Sequence, residues 1–185
     1  VNAGKAIAEA INATHIPRVV MLSSIGADLA DGNGPIQGLY HIEKLYNDLD
    51  TSVTFLRAGY FYTNYYNDIP VIKNADIIGG NYSSTTKIPL VHPKDIAVAV
   101  AEELQKQSTG KNIRYIVSDL RSASDIAKTL GDAIEKPNLP WVEFTDEQSL
   151  QGMTGAGLPE EIAALYTEMG KGLREKKIQA DFVNN

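Results

Sequence analysis

Two side chains four residues apart carry the first chemical signal in this sequence. Tyr40 and Lys44 form a Tyr-x-x-x-Lys pair, and on a helix this spacing places both on one face. An ammonium close to a phenol favours the phenolate, so the phenol can exchange a proton with a carbonyl or an alcohol while hydride moves to or from a nicotinamide. A tyrosine packed on a helix with a solvated lysine one turn away has the same spacing. The pair alone is therefore a weak motif.

Two further segments place polar or small residues where a ligand could bind. Ser23 ends the apolar run 18–23 and Ser24 directly follows it. This run predicts a strand buried on both faces. Open α/β sheets bind ligands at the carboxyl ends of their strands, so Ser24 could orient a substrate oxygen there; either serine could instead cap the next turn. Gly59 follows the next apolar run, 53–57, where it permits close backbone approach to a flat ring or only ends the strand.

Helices and strands that alternate along the chain must position these groups. Helical periodicity over residues 1–15 precedes the first predicted strand, and helical periodicity over 39–49 separates it from the second. This alternation predicts parallel strands with right-handed crossovers. Residues 60–66 are rich in aromatic side chains and asparagine, which favours a pocket wall or lid. Further elements are predicted at 87–92 (extended), 96–104 (helix), 112–118 (strand), 124–134 (helix capped by Ser122 or Ser124), 141–144 (strand) and from Pro159 onward (helix), with a frayed tail beyond Lys177.

Composition bounds the class of protein. The 185 residues are 43% hydrophobic and 22% charged, with a net charge of -6, which predicts one globular domain that does not bind nucleic acid or anionic membranes. There is no cysteine, which excludes disulfides and thiolate chemistry. No run of 18 to 20 apolar residues and no signal peptide is recognisable, so we expect a cytoplasmic protein. The three histidines have no metal-ligand spacing, and no metal site is predicted.

The ordered set of motifs resembles the NmrA-like family of atypical short-chain dehydrogenases/reductases. The matching segments run from Pro17 through Ser23-Ser24-Ile25-Gly26-Ala27, then Gly34-Pro35, then Leu56-Arg57-x-Gly59-Tyr60-Phe61-x-x-Asn64, and finally 93–97. This resemblance implies an α/β fold with a Rossmann-like, doubly wound parallel sheet, incomplete at its N-terminus. Residues 1–60 would supply the remaining dinucleotide-binding sheet, and residues 61–185 its last elements and a small C-terminal substrate-side lobe of one partial domain.

The resemblance also assigns roles to individual residues. It implies a catalytic group of Ser24, Tyr40 and Lys44 and an NAD(P) cofactor whose ribose contacts Lys44. The other residues implied to border the cofactor are Leu22, Ser23, Ala58, Gly59, Tyr60 and Phe61, and Asn64 and Tyr65 would line the substrate pocket.

Three departures from the family pattern affect the expected function. Many members lack the Tyr-Lys pair and serve as cofactor sensors, so the pair in this chain favours an enzyme. Ala58 stands where relatives often carry proline. The glycine-rich phosphate loop of the family is absent, because the glycines between 152 and 157 follow no predicted strand and read as a helix connection. We therefore expect NAD(P) binding in an intact domain and weak or no binding by this chain alone.

The leading hypothesis is an NAD(P)-dependent oxidoreductase that transfers hydride to a small carbonyl or quinone-like acceptor. The alternatives are a non-catalytic NAD(P)-sensing regulatory protein and an inactive fragment of either. The sequence leaves the substrate, the choice of NAD or NADP and the oligomeric state open.

Overall fold

The computed structural model describes residues 1–185 as an α/β structure. Its helices are α1 (Asn2–Thr14), α2 (Gln37–Asn47), α3 (Ile69–Ala75), α4 (Pro93–Gln105), α5 (Ala123–Ala133), α6 (Asp146–Gly155), α7 (Glu160–Arg174) and α8 (Ala180–Asn184). Its strands are β1 (Arg18–Ser24), β2 (Ser52–Ala58), β3 (Tyr60–Phe61), β4 (Ile78–Gly80), β5 (Lys87–Val91), β6 (Lys111–Ile116), β7 (Asp119–Ser122) and β8 (Trp141–Glu143). Two 3₁₀ helices, Gly34–Ile36 and Tyr62–Asp68, precede α2 and α3.

The main sheet has three parallel strands in the order β1-β2-β6. Its register pairs Ser23 with Arg57 and Ser24 with Ala58, so the carboxyl ends of β1 and β2 lie side by side. β1 is an edge strand, and its Leu22 is 45% exposed. The predicted alternation of helices with parallel strands is confirmed.

Helices cover both faces of this sheet. On one face, α1 and α2 bury Ala8, Ile11 and Tyr46 against Val53 and Phe55. On the other face, Ile96 and Ala99 of α4 pack against Leu56, Ala58 and Ile116. Since successive side chains of a strand point to opposite faces, alternate residues of β2 enter separate cores, and the sheet is doubly wound as expected.

Two smaller sheets continue the structure beyond the carboxyl ends of β1 and β2. In one, β5 pairs in parallel with β3 and antiparallel with β7; in the other, β4 pairs in parallel with β8. A third core beneath these strands contains Tyr65, Ile78 and Ile88. None of the helices is both long and apolar enough to cross a lipid bilayer.

The structure corrects the prediction of a frayed tail. Residues 178–179 are buried, and α8 follows them. Asp181 of α8 accepts a hydrogen bond from Arg57, which is 124 positions away along the chain. The prediction was wrong because it used local polarity, whereas the order of this segment comes from distant contacts.

Local sequence signals correctly predicted the structure at two helix ends. Ser122 caps α5 in a reciprocal capping box with Asp125, which decides between the two predicted caps. Gly152 and Gly155 belong to α6, and Gly157 begins the turn toward α7 with a φ of 96°. The glycine-rich segment therefore connects two helices, as predicted.

Candidate functional site

A cavity of about 410 Å³ lies at the carboxyl ends of β1 and β2. Twelve of its seventeen lining residues are hydrophobic, so its walls favour an uncharged, largely apolar ligand. The lining residues are Leu22, Ser23, Ser24, Ile25, Ile36, Leu39, Ala58, Gly59, Tyr60, Phe61, Asn64, Ile88, Pro89, Tyr166, Met169, Leu173 and Ile178.

The structure brings most of the residues selected from the sequence into this lining. From the carboxyl end of β1 come Leu22, Ser23 and Ser24, and from the end of β2 onward come the segment 58–61 and Asn64. These groups converge because β1 and β2 are parallel neighbours in register. Three selected residues lie outside the lining, namely Tyr40, Lys44 and Tyr65.

Tyr40 and Lys44 lie beside one another on α2. The Lys44 Nζ is 5.4 Å from the centroid of the Tyr40 ring, a cation–π distance that follows from their i,i+4 spacing. Leu39 lines the cavity and directly precedes Tyr40. The pair therefore lies next to the cavity wall, on the helix that supplies part of that wall.

The hydroxyl groups near the cavity are in different environments. Ser24 Oγ donates to the Ile25 carbonyl at 2.9 Å, whereas Ser23 Oγ donates to Glu43 Oε1 at 2.5 Å. Burial raises the pKa of the Tyr60 hydroxyl, and the nearby Asp68 raises it further, while a hydrogen bond with Asn64 opposes both effects. The Tyr60 phenol is thus neutral at physiological pH and can donate a hydrogen bond.

Tyr65 belongs to the core and not to the cavity surface. Its ring lies edge-on to Tyr60, with 5.4 Å between centroids, and its buried hydroxyl has no hydrogen-bond partner. Burial raises the pKa of Tyr65 well above its ordinary value. The residue supports the wall that carries Tyr60 and Asn64.

Gly59 is required by packing inside the protein. A Cβ at this position would come within 2.5 Å of the Pro89 carbonyl oxygen, because β3 begins next to β5 immediately after it. The close backbone approach seen at Gly59 is therefore to β5, and its contact with a flat ligand ring stays a prediction. The residue also lines the cavity.

The remaining wall comes from α7 and the C-terminal segment. Tyr166, Met169, Leu173 and Ile178 line the cavity on this side. The sequence shows α7 as one apolar stripe, which predicts a buried helix face but does not distinguish a core from a cavity wall. These residues were consequently missed as site residues.

A buried cluster of charged side chains adjoins the cavity. Arg57 donates from Nε to Glu43 Oε1 at 3.1 Å and from Nη2 to Oε2 at 2.6 Å. Its Nη1 donates to Asp181 Oδ2 at 2.7 Å and lies 3.7 Å from Asp28 Oδ1. Burial by itself lowers the pKa of Arg57, but the hydrogen bonds and charge of Glu43 outweigh it and raise the pKa. Burial is also the main reason that the pKa of Asp28 is raised.

The sequence contained a signal for this cluster that the prediction did not use. Arg57 lies next to the last residue of β2, within a buried and mostly apolar run, and Glu43 lies on the buried face of α2. Buried ionisable residues are rarely unpaired, so each predicts a partner of opposite charge. The identity of the partner depends on how α2 packs on β2.

The donors around the cavity fit the nicotinamide end of a dinucleotide. A flat ring with a carboxamide suits apolar walls with a few hydrogen-bonding groups, and Ser24 and Asn64 supply such groups. The pyrophosphate group of a dinucleotide is bound in other proteins by a glycine-rich turn between a strand and a helix N-terminus, whereas residues 152–157 end α6. The described residues therefore fit nicotinamide and an adjoining acceptor better than they fit the phosphates.

The three histidines are dispersed over the structure. His15 ends α1 in a left-handed conformation, His41 is exposed on α2, and His92 caps α4 by accepting the Lys94 N–H at its Nδ1. No group of three or more His, Cys, Asp or Glu side chains is placed to hold a metal ion.

Comparison with solved structures identifies the fold. An NADPH-dependent quinone oxidoreductase from Escherichia coli superposes with a TM-score of 0.84 at 19% identity, covering 96% of this chain and 64% of that one. A triphenylmethane reductase from Citrobacter sp. gives 0.75 at 15% identity over 95% and 63%. A nucleoside-diphosphate-sugar epimerase from Staphylococcus aureus gives 0.77 at 13% identity over 98% and 66%.

These similarities confirm the Rossmann-like fold that the sequence motifs implied. The chain spans about two thirds of the length of each of these proteins. Family models and curated sequences give no match.

Proposed function

We propose that this chain provides the nicotinamide and substrate side of an NAD(P)-dependent oxidoreductase that reduces a small carbonyl or quinone-like acceptor. The observation that carries the proposal is the apolar cavity at the carboxyl ends of β1 and β2, with Ser24, Tyr60 and Asn64 as its polar groups. The solved proteins of this fold include an NADPH-dependent quinone oxidoreductase complexed with NADPH and a triphenylmethane reductase complexed with NADP(H).

In this proposal the cavity walls exclude water and the polar groups orient the acceptor. Apolar side chains from β1, α2 and α7 surround the reacting atoms and strengthen the few hydrogen bonds made there. The Asn64 amide N–H donates to the acceptor oxygen, and the Ser24 hydroxyl does so after turning away from the Ile25 carbonyl, to which it donates in the free protein. A reduced nicotinamide, when bound, supplies a hydride.

The acceptor also needs a proton, for which the chain offers two phenols. Tyr40 is the group expected from the sequence. It lies beside the cavity wall and outside the lining, so its ring must turn toward the acceptor to donate. The neighbouring Lys44 would stabilise the phenolate that remains after transfer. Tyr60 lines the cavity and stays protonated, because burial raises its pKa. We propose Tyr40 as the proton donor and Tyr60 as a hydrogen-bond donor that orients the acceptor.

The test uses two hydride donors of different size. Millimolar NADPH and reduced nicotinamide mononucleotide are mixed with the 185-residue chain and a panel of quinones and aldehydes, and oxidation is followed at 340 nm. We expect turnover with both donors and little advantage for NADPH, since the described residues fit the nicotinamide end. Loss of general acid catalysis in Tyr40→Phe should reduce kcat by about 10²- to 10⁴-fold.

Tyr46→Phe is the matched control, because Tyr46 lies on the same helix but is buried in the core against α1. This variant should keep the activity of the unmodified chain. A larger loss in Tyr60→Phe than in Tyr40→Phe would reverse the two roles. Cofactor binding without turnover across the panel would favour an NAD(P) sensor, and the absence of both would refute the proposal.

A further inference from the structure

The C-terminal segment 178–185 is held by side chains that the proposed chemistry does not use. α8 contains only five residues, and an isolated helix of this length is not stable in water. Its order must therefore come from contacts with the rest of the protein. Those contacts include hydrogen bonds from the Ile178 N–H to the Gly172 carbonyl and from Gln179 Nε2 to the Leu173 carbonyl. They also include two anchoring side chains, one apolar and one charged.

Ile178 is the apolar anchor. It is 4% exposed, packs with Ile25 and Leu173, and forms part of the cavity wall. Its side chain also occupies the space that a Cβ on Gly26 would need. The segment thus closes one side of the cavity with a single branched side chain.

Asp181 is the charged anchor, three residues further along. Its Oδ2 accepts from Arg57 Nη1 at 2.7 Å and from the Tyr115 hydroxyl. Asn185 donates to Asp181 Oδ1 at 3.0 Å, and the Phe182 ring packs on Tyr115 with 5.6 Å between centroids. Arg57 and Tyr115 are Cα partners on β2 and β6, so both act from the rigid sheet.

The other half of Arg57 is engaged with Glu43 of α2. Two hydrogen bonds join these side chains, and Ser23 adds a third to Glu43. Removing the Asp181 carboxylate therefore leaves Arg57 paired. The effect of such a change should be confined to the C-terminal segment.

We propose that Asp181, held by Arg57, is a positioning residue that keeps Ile178 in the cavity wall and so limits the size of the ligand that the cavity admits. The inference rests on the proposed use of the cavity as a ligand site but not on hydride transfer. Asp181 acts through Ile178 and does not itself line the cavity.

Two measurements test the inference without turnover. The first is amide hydrogen exchange of the C-terminal peptide in Asp181→Ala, where we expect at least tenfold faster exchange over 178–185 and unchanged exchange over α2. Asp181→Asn, which keeps an oxygen acceptor, should be intermediate. Asp132→Asn removes an exposed carboxylate paired with Lys128 and should leave the segment unchanged.

The second measurement is the ratio of the dissociation constants of a small and a large uncharged fluorescent ring, 2-naphthol and 1-hydroxypyrene. Asp181→Ala should shift this ratio at least fivefold toward the larger ring. Ile178→Ala should give the same shift, and combining the two changes should add little, because both remove the same wall. Unchanged exchange, an unchanged ratio, or no binding of either ring to the unmodified chain would overturn the inference. Failure of hydride transfer would not affect it.

Discussion

Replacement of Arg57 by methionine should be among the most destabilising single changes in this protein. The guanidinium makes two hydrogen bonds to Glu43 and one to Asp181, and the Arg57 and Glu43 side chains are each only 6% exposed. Removing one partner of a buried ion pair leaves the other charge without compensation and costs about 3–5 kcal/mol. The total stability of a domain of this size is about 5–15 kcal/mol, so a large part of it would be lost.

The change from Glu43 to glutamine should cost less, about 2 kcal/mol. Glutamine keeps the shape and one oxygen acceptor, and Arg57 keeps Asp181 and Asp28 as neighbours. Arg57→Met should cost more than Glu43→Gln because of the charges that each change leaves behind. Arg57→Met leaves three carboxylates close together, whereas Glu43→Gln leaves one cation between two carboxylates.

Urea unfolding followed by circular dichroism gives both values by linear extrapolation. The loss in Arg57→Met should be smaller at pH 5 than at pH 8, because Asp28, whose pKa is raised by burial, takes up a proton more readily at the lower pH and relieves the repulsion among the remaining carboxylates. A double variant, Arg57→Met with Glu43→Leu, should cost less than the sum of its single changes, since apolar side chains can replace a buried pair. A cost below about 1 kcal/mol for Arg57→Met, or strict additivity, would refute this reasoning.

Three other changes test single features of the structure. Burial raises the pKa of Asp68 to about 6, from 3.8, so the stability of the unmodified protein falls as pH rises from about 4 to 6. Asp68→Asn should therefore stabilise the protein by up to about 3 kcal/mol at pH 8 and not at pH 4. Urea unfolding at both pH values measures this difference. Hydrogen bonds from Arg174 and Asn81 lower the pKa of Asp146 to about 2. The resulting stabilisation is present above pH 4 and lost as pH falls toward 2. Because the Asp146 side chain is 37% exposed, Asp146→Asn should cost only about 1 kcal/mol at pH 7. Gly34→Ala should lower the melting temperature more than Gly32→Ala. Both have positive φ, but only at Gly34 would the Cβ meet the backbone of α7, whereas nothing lies within 4 Å at Gly32; equal losses would contradict this.

The sequence alone determined the elements whose side chains repeat with a clear local period. The run 18–23 predicted β1, and the apolar positions of 39–49 predicted α2, because buried strands and amphipathic helices each have their own spacing. The short elements α3, β4 and β7 were not predicted. They contain three to seven residues and owe their conformation to the strands and loops beside them.

The candidate site, too, was predicted only in part from the sequence. The sequence placed Ser24 and Gly59 together, because the carboxyl ends of adjacent parallel strands meet at one edge of a sheet, and the family resemblance added Asn64. It paired Tyr40 with Lys44 through helical spacing, but it did not show whether this face of α2 opens into the cavity. That depends on the rotation of α2 about its axis, which Glu43 fixes through Arg57.

Only the tertiary structure decided what closes the cavity. The wall formed by α7 and Ile178, and the anchoring of Asp181 on Arg57, join residues more than a hundred positions apart. Periodicity reports which face of an element is apolar, but not which distant element covers that face. A buried arginine must find a carboxylate, and the requirement is visible in the sequence. Which carboxylates meet Arg57 is set by the packing of α2 and the C-terminal segment against the sheet.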